Sequence, residues 1–350
     1  MSAQISDIEI AREVIGLYAV GEVHDLEHIV EGLIHKTYRV KTGRGEYALQ
    51  CLHPVLAHEA ILIDYQRVTE HLDAADFPAP RLIAERQDQV WVTDRQNRRW
   101  RLTNWLPGKS YPAITSRHMN REAAALLGRF HMVMSTFHHP FLSTHPLHNT
   151  EHHLRSLQQA SETYKSTPLF HKISPLIRTV TATIPQLLFP PLPVRIVHGD
   201  PKISNFLFDE AENATAIIDL DTCSRHTVLV DLGDAMRSWC RQGGEDEEQR
   251  FSLIRFEDLL QGYSSSPMTL TDTEIKLLPQ AGKLITLELA ARFLCDALED
   301  TYFGWDSSRY SSRRDHNVAR AKAMLFLARD MAEQEGQLNQ LVKKYYKYIQ

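Results

Sequence analysis

The most constraining feature of the sequence is a polar loop bounded by short apolar runs in its second half. Residues 192–197 (Leu-Pro-Val-Arg-Ile-Val) lead into residues 198–205, which read His-Gly-Asp-Pro-Lys-Ile-Ser-Asn. Two further apolar runs follow at 206–208 and 216–218, and the second runs directly into Asp219. Short strand-forming runs separated by turn residues predict a strand, a polar loop and a hairpin. Asp219 is therefore predicted to follow a buried strand.

The residue types of this loop suit in-line phosphoryl transfer. That reaction needs positioning, one carboxylate for the acceptor hydroxyl, and metal ions that neutralise the phosphates. Asp200 can accept or orient the hydroxyl proton, and Lys202 can reach the transferring phosphoryl group. Asn205 and Asp219 offer the hard oxygen ligands that Mg²⁺ prefers. Turn capping is the alternative for either aspartate alone, and their joint occurrence disfavours it.

The sequence resembles the aminoglycoside phosphotransferase and choline kinase superfamily, whose fold is similar to that of protein kinases. Four segments carry the resemblance, namely residues 198–209, 217–222, 231–237 and 283–296. The last of them makes the sequence most similar to the N-acetylhexosamine 1-kinases. Shorter likenesses at 148–150 and 32–35 extend the resemblance over most of the chain, from about residue 25 to about residue 340.

The resemblance implies an α+β, protein-kinase-like bilobal fold with a small, mainly β N-lobe and a large, mainly α C-lobe. At 350 residues the chain also exceeds the usual size of a single core. Residues 106–108 (Leu-Pro-Gly) break the pattern between the strands and the helices. We therefore expect a nucleotide-binding lobe at 1–106 and a catalytic and substrate-binding lobe at 107–350.

Periodicity along the chain supports this division. Alternation predicts strands at 38–41, 47–52, 90–92 and 100–105, and apolar residues at helical spacing predict a helix over 59–72. In the second part the same spacing predicts helices over 121–137 and over most of 271–341.

The resemblance also implies where ATP binds. Gly32 and His35 fall in the loop that kinases place over the phosphates, and Thr103 and Trp105 fall at the hinge that binds the adenine edge. A single glycine in a hairpin is weak evidence by itself. Its weight comes from the order of loop, strand, helix, hinge and catalytic loop along the chain.

One position departs from the general kinase pattern. Kinases place a lysine on the second of these strands to hold the α- and β-phosphates, whereas this sequence has Gln50. The N-acetylhexosamine 1-kinases resemble the sequence in having Gln there. Asp64, on the helix that follows, is the nearest match to the acidic partner of the kinase lysine. A solvated helix carboxylate is the alternative for Asp64.

On the acceptor side, the resemblance to N-acetylhexosamine 1-kinases implies that Arg292 and Tyr302 contact the sugar or its phosphate. Asp296, on the same helix as Arg292, is a third candidate substrate-binding residue. Arginine suits bidentate recognition of oxygens. A stripe of alternating charges is alternatively a solvated, salt-bridged helix face. A cationic acceptor calls for a strongly acidic pocket, which Glu288, Asp296, Glu299 and Asp300 could supply. Arg292, which lies among these carboxylates in the sequence, favours a neutral or anionic acceptor instead.

These features predict an ATP- and Mg²⁺-dependent kinase of a sugar hydroxyl, the anomeric hydroxyl of an N-acetylhexosamine, with Asp200 as the catalytic base. One alternative is a kinase of an aminoglycoside, an amino alcohol or a different sugar on the same fold. Another is a non-catalytic nucleotide-binding protein, which the intact Asp200, Asn205 and Asp219 disfavour.

Composition excludes several other classes. The formal net charge of −5 disfavours a nucleic-acid partner, because phosphate-backbone affinity comes from clustered Lys and Arg. No apolar run approaches the roughly 20 residues of a membrane span, and the start of the chain lacks a signal-peptide pattern. The four cysteines form no CxxC pair, which fits a reducing compartment, so we expect a cytoplasmic protein.

Two further segments have a structural interpretation. Seven histidines lie in the segment from His131 to His153 without a HExxH motif, which predicts mostly surface loop rather than a zinc site. Asp231 and Asp234 are predicted to cap the next helix and brace the catalytic loop, with Arg237 in the same network.

Overall fold

An antiparallel sheet of six strands forms the first part of the chain in the computed structural model, which describes residues 7–29, 35–143 and 147–346. The strands are β1 (Val23–Ile29), β2 (Lys36–Thr42), β3 (Gly45–Cys51), β4 (Leu82–Ile83), β5 (Trp91–Thr93) and β6 (Arg99–Asn104). Their order is β1-β2-β3-β6-β4, and β5 pairs with β6. Strands β2, β3, β5 and β6 match the alternating runs of the sequence within two residues.

Two helices accompany the sheet. Helix α1 (Asp7–Ile15), which the sequence patterns did not predict, packs Ile10, Val14 and Ile15 against the buried side chains of the sheet. Helix α2 (Glu59–Ala74) was predicted. It buries Tyr65, Val68 and Leu72 in the large core of the second part, so it links the sheet to the helical region.

Helices dominate the rest of the described chain. They are α3 (Arg117–Met134), α4 (Thr150–Thr163), α5 (Pro168–Thr183), α6 (Leu229–Trp239), α7 (Leu253–Ser265), α8 (Asp272–Glu299), α9 (Arg313–Glu333) and α10 (Glu335–Tyr345). Helix α3 begins four residues before the predicted start because the Ser116 side chain accepts from the Met119 N–H and caps it. A capping box between Thr271 and Glu274 begins α8.

Two small pairs of antiparallel strands lie among these helices, and the polar loop at 198–205 connects one pair to the other. Strand β7 (Arg195–Val197) pairs with β10 (Ser224–His226), and β8 (Phe206–Phe208) pairs with β9 (Ala214–Ile217). The strand positions predicted on both sides of the polar loop are thus confirmed, as is the α+β class. Among the described residues, no helix combines the length and apolarity that crossing a bilayer requires.

Candidate active site

The polar loop at 198–205 leaves β7 through a conformation that only glycine accepts easily. Gly199 has a φ of 84°, and a Cβ placed there would lie 2.4 Å from the backbone oxygen of Thr222. The Thr222 hydroxyl also donates to the His198 carbonyl at 2.9 Å. Because of this close approach, the loop that carries Asp200 is packed directly on the turn that carries Asp219.

Asp231, at the start of α6, fixes the other side of the same loop. Its carboxylate accepts the backbone N–H groups of His198 at 2.7 Å and Gly199 at 2.9 Å. It also pairs with His131 of α3 at 2.9 Å, and all of these groups are buried. The predicted bracing role of Asp231 is confirmed, but the predicted capping by Asp231 and Asp234 is wrong, because α6 begins at Leu229 after Val228 and both aspartates lie inside the helix. Asp234 instead accepts from Arg237 at 2.7 Å, which confirms that Arg237 joins the local network.

Asp200, Lys202, Asn205 and Asp219 come together at this junction. Lys202 Nζ lies 2.8 Å from Asp200 Oδ2 and 4.0 Å from Asp219 Oδ2, so one ammonium group stands between the two carboxylates. The Asn205 side-chain nitrogen donates to the Asp200 carbonyl at 2.8 Å, which leaves its side-chain oxygen as its ligand group. Asp219 has a φ of 65°, a left-handed conformation at the end of β9.

The charges of these groups are set by burial and by one another. Burial raises the pKa of Asp200, but the charge and hydrogen bond of Lys202 outweigh it and hold that pKa below the ordinary value. Burial, together with the charge of Asp221, raises the pKa of Asp219. A carboxyl in that position gains stability from a cation beside it. Asp219 and the Asn205 oxygen therefore fit a hard divalent metal ion.

A second acidic group, which the sequence argument left without a role, lies beside Asp219. Asp221 is buried and receives a bidentate contact from Arg101 of β6, at 2.7 and 2.6 Å. Burial opposes ionisation of Asp221, but the Arg101 charge and His35 hold its pKa well below the ordinary value. The guanidinium of Arg101 also lies 3.7 Å from the ring centroid of Tyr65. This ion pair ties the sheet to the turn at 219–222.

His35, predicted for the loop over the phosphates, lies inside this cluster. Its Nε2 is 3.3 Å from Asp221, and its Nδ1 accepts the N–H of His53 at 3.1 Å. One ligand atom each from His35, Asp219 and Asp221 lies within 4.8 Å of the others, a spacing that could hold a metal ion. In the tautomer assigned by the His53 contact, however, Nε2 carries the proton and donates to Asp221. Gly32, the other residue predicted for that loop, lies outside the described residues.

Gln50 and Asp64 do not form the lysine–carboxylate type of pair that kinases have at these positions. The Gln50 side-chain oxygen accepts from Arg101 Nε at 2.8 Å. Asp64 is buried and accepts the backbone N–H groups of Leu142 and Ser143 at 2.9 and 2.8 Å. Both interpretations offered for Asp64 are therefore wrong: the carboxylate is neither a partner of position 50 nor solvated, because it anchors the segment after α3.

The predicted hinge residues, Thr103 and Trp105, lie at the end of β6 and just after it. Thr103 has strand neighbours on both sides, Ala48 of β3 and Leu82 of β4. The Trp105 N–H donates to the Glu46 carbonyl at 3.0 Å, and its ring lies 4.8 Å from the Arg39 guanidinium. The chain then crosses towards the helical part, where Lys109 pairs with Phe208 in both directions at 2.8 and 3.0 Å.

A cavity of about 680 Å³ opens beside the 219–222 turn, within the usual range for small-molecule pockets. Its lining includes Ile61, Thr222, Arg292, Tyr302 and Phe303. The Arg292 guanidinium lies 5.9 and 5.4 Å from the rings of Tyr302 and Phe303. Among the described residues no carboxylate lies within ion-pair distance of Arg292. The structure thus brings Arg292 and Tyr302 to one wall.

Asp296 lies on the same wall, but its carboxylate is engaged by the protein. It accepts the N–H groups of Thr301, Tyr302 and Phe303 at 2.8, 2.7 and 2.9 Å, and the Asn317 amide at 2.8 Å. These contacts turn the chain after α8. Asp296 therefore acts on the cavity indirectly, by placing Tyr302 and Phe303.

The histidine-rich segment is only partly the surface loop that its composition predicted. His131 is fully buried in α3, between Asp231 and the Tyr263 hydroxyl at 2.8 Å. His148 is also buried, with its Nδ1 2.8 Å from Glu288 of α8. These two side chains are exceptions to the prediction of mostly surface loop, because buried carboxylates from distant helices face them. No sequence pattern near either histidine shows its partner.

Comparison with known proteins agrees with this architecture. A family model described as "Phosphotransferase enzyme family" matches residues 25–263. A microcompartment-associated aminopropanol kinase has a TM-score of 0.68 at 16% identity, with 95% of this chain and 99% of that chain covered.

Two further solved structures are similar. An amicoumacin kinase, in complex with AMP-PNP, Ca²⁺ and Ami, has a TM-score of 0.63 at 14% identity, covering 91% of this chain and 94% of the other. A spectinomycin phosphotransferase bound to ADP and spectinomycin has a TM-score of 0.60 at 12% identity, covering 95% and 99%. At these identities the likeness concerns the fold, and it confirms the predicted kinase-like arrangement of a β N-terminal and a helical C-terminal region.

Proposed function

The chain belongs to the phosphotransferase enzyme family, and from that premise we propose that it transfers the γ-phosphoryl group of ATP to a sugar hydroxyl, the anomeric hydroxyl of an N-acetylhexosamine, with Asp200 as the catalytic carboxylate. The observation that carries the proposal is the junction of the 198–205 loop with the 219–222 turn. There an ammonium group, two carboxylates and an amide oxygen converge, and Asp221 and Thr222 of the same turn line the cavity.

In this proposal each group of the junction has one task. Asp200, ionised because Lys202 lies beside it, accepts a hydrogen bond from the acceptor hydroxyl and orients its oxygen towards the phosphorus. The ammonium group of Lys202 moves from the Asp200 carboxylate to the phosphoryl oxygens, where its positive charge stabilises them. Asp219 and the Asn205 oxygen would hold Mg²⁺, which neutralises phosphate charge when bound.

The proposal assigns nucleotide binding to residues 1–106 and catalysis with acceptor binding to residues 107–350. The cavity supports the role of residues 107–350, because it is lined by Thr222 and by residues of α8. The sheet supports the role of residues 1–106, because its strand β6 ends at Asn104, just before the chain crosses to the β8–β9 hairpin. Backbone groups at Thr103 and Trp105 are the proposed neighbours of the adenine.

Charge in the cavity supports a neutral or anionic acceptor over a cationic one. Among the described lining residues, the basic groups are His58, His152, His153 and Arg292, and the acidic groups are Asp221, Asp296 and Glu299. Two of the three acidic groups are engaged, Asp221 by Arg101 and Asp296 by the turn after α8. An aminoglycoside or amino alcohol would therefore meet few free carboxylates, together with the Arg292 guanidinium, which has no carboxylate partner within the described part of the chain. An acetamido sugar offers hydroxyl and carbonyl oxygens that suit an arginine and a tyrosine.

The test is a coupled assay of ADP release with purified protein, Mg²⁺ and ATP against N-acetylglucosamine, N-acetylgalactosamine, an aminopropanol, choline and kanamycin. The proposal predicts turnover with an N-acetylhexosamine. The methyl glycoside of the same sugar is the matched control, because its anomeric oxygen carries no proton, and it should not react. Turnover of kanamycin or an amino alcohol without turnover of either sugar would overturn the acceptor assignment, and phosphorylation of the methyl glycoside would overturn the choice of hydroxyl.

A further inference from the structure

We infer that Arg101 supplies the fixed positive charge for the phosphates of the bound nucleotide, delivered from β6 because β3 has Gln50 at the facing position. The inference rests on the proposed function, since it assumes that the nucleotide binds between the sheet and the catalytic loop. It gives a specific role to a buried cation that the sequence patterns did not single out.

The strand register carries the first step. Gln50 of β3 is paired directly with Arg101 of β6, so the two side chains project from the same face of the sheet. A cation lost from β3 can therefore be replaced from its cross-strand neighbour with little change in where the charge lies. Arg101 Nε donates to the Gln50 side-chain oxygen at 2.8 Å, so the two polar groups lie next to each other on this face.

The hydrogen-bond capacity of Arg101 carries the second step. A guanidinium has five N–H groups in a fixed plane. The described residues use three of them, one with Gln50 and two with Asp221. The two remaining N–H groups, one on each Nη, point in different directions in the guanidinium plane, so each can donate to a separate phosphate oxygen while the contacts with Asp221 persist.

The position of Arg101 relative to the metal residues carries the third step. Its partner Asp221 is two residues from Asp219, the proposed Mg²⁺ ligand, and the charge of Asp219 also acts on Arg101. The guanidinium is held over the Tyr65 ring at 3.7 Å and is 2% exposed. It is therefore pre-ordered next to the place where the phosphates and their metal would meet.

The competing explanation is that Arg101 only joins the sheet to the 219–222 turn. Buried ion pairs are common without any ligand role, and breaking one is destabilising in itself. The two explanations differ in one respect: a phosphate contact changes the affinity for ATP but not for adenosine, whereas a structural brace affects both or neither.

The experiment measures the dissociation constants of ATP, ADP and adenosine by isothermal titration calorimetry with Mg²⁺, for the wild type and Arg101→Gln. Arg98→Gln is the matched control. Arg98 lies immediately before β6, is partly buried, and pairs with Asp94 and Asp7 on the other side of the sheet. The Arg98→Gln substitution therefore removes an arginine ion pair of the same sheet and leaves the contacts of Asp221 unchanged.

The inference predicts that Arg101→Gln weakens ATP binding by roughly 10- to 100-fold, as expected for loss of a charge-assisted contact. Adenosine affinity should change by less than about twofold, and Arg98→Gln should leave both affinities within that range. Equal weakening of ATP and adenosine, or no change in either, would overturn the inference and leave Arg101 a structural residue. A wild type that binds no nucleotide would overturn the proposed function and the inference with it.

Two more variants keep the test decisive if Arg101→Gln does not fold. Arg101→Lys retains a charge that can pair with Asp221 but loses the planar guanidinium, so ATP affinity should fall severalfold with adenosine affinity unchanged. The double variant Gln50→Lys/Arg101→Gln returns the charge to β3. This double variant should bind ATP more tightly than Arg101→Gln. If Arg101→Gln is insoluble, the comparison is with Arg101→Lys. No gain in ATP affinity from the added lysine would contradict the proposed equivalence of positions 50 and 101.

Discussion

Replacing Asp231 by asparagine should damage both stability and catalysis, because this one carboxylate holds the loop that carries Asp200. One of its oxygens accepts from the His198 N–H and His131, and the other accepts from the Gly199 N–H. Asparagine keeps a single acceptor oxygen, so at least one of the two backbone N–H groups would face an amide NH₂ instead.

The magnitude follows from these contacts. A buried N–H left without an acceptor costs about 1–3 kcal/mol, and the His131 contact loses its charged acceptor, which adds to that cost. The pKa of Asp231 lies below its ordinary value, because the His131 contact and the backbone donors outweigh burial. The charged form that asparagine lacks is therefore the one the fold stabilises.

The assay combines urea unfolding, followed by tryptophan fluorescence, with kcat at a temperature where the variant is folded. Asp258→Asn is the matched control, since Asp258 is also fully buried but pairs with Arg117 and Arg121, away from the loop. Both variants should lose stability, while Asp231→Asn alone should lose kcat in the folded state. A free energy of unfolding within about 1 kcal/mol of the wild type would refute the reasoning, and so would an unchanged kcat.

Two further predictions concern packing and pH. Gly199→Ala forces a Cβ to within 2.4 Å of the Thr222 oxygen at a φ of 84°, so we expect a loss of roughly 1–3 kcal/mol or more in urea unfolding, whereas Gly304→Ala, with open space around the new Cβ, should be neutral. Burial opposes protonation of His148, but Glu288 raises its pKa above the ordinary value. Stability from a raised histidine pKa is present below the unfolded pKa of about 6.5 and is lost as pH rises through the folded value. Glu288→Gln should therefore lower the thermal midpoint more at pH 6 than at pH 9; an effect that grows with pH would contradict the ion pair.

Local patterns were enough to predict the elements whose side chains alternate or repeat along the chain. The β2–β3 hairpin follows from alternation with buried Tyr38 and Val40 facing Leu49, and α2 follows from helical spacing. The loop at 198–205 was predictable for a different reason. Its chemistry needs several polar residue types within one turn of chain, so the spacing itself carries the information.

Contacts between distant positions were not predictable in this way. Arg101 and Asp221 are separated by 120 positions, and His131 and Asp231 by 100. Each partner, seen in the sequence, is an ordinary charged or polar residue in a strand or helix. An arginine in the middle of a strand of otherwise buried residues was the one signal for Arg101, since such a side chain needs a partner.

Asp296 shows the opposite error, because its sequence position was informative but its role was not. A carboxylate on the α8 face beside Arg292 suggests ligand binding. The chain instead reverses at Asp300, whose φ is 63°, and the three N–H groups of the turn then point at Asp296. Only the three-dimensional path of the turn shows that these donors are there.

The most direct test of the central claim is the Asp200→Ala variant, measured for phosphoryl transfer and for ATP binding in the same preparation. Removing the carboxylate should lower kcat by roughly 10²–10⁴-fold, the range for a positioned acid–base group. The dissociation constant of ATP should stay close to that of the wild type, and Glu210→Ala, an exposed carboxylate beyond β8, should change neither quantity. Near-normal turnover by Asp200→Ala would contradict the assignment of Asp200 as the carboxylate that meets the acceptor hydroxyl.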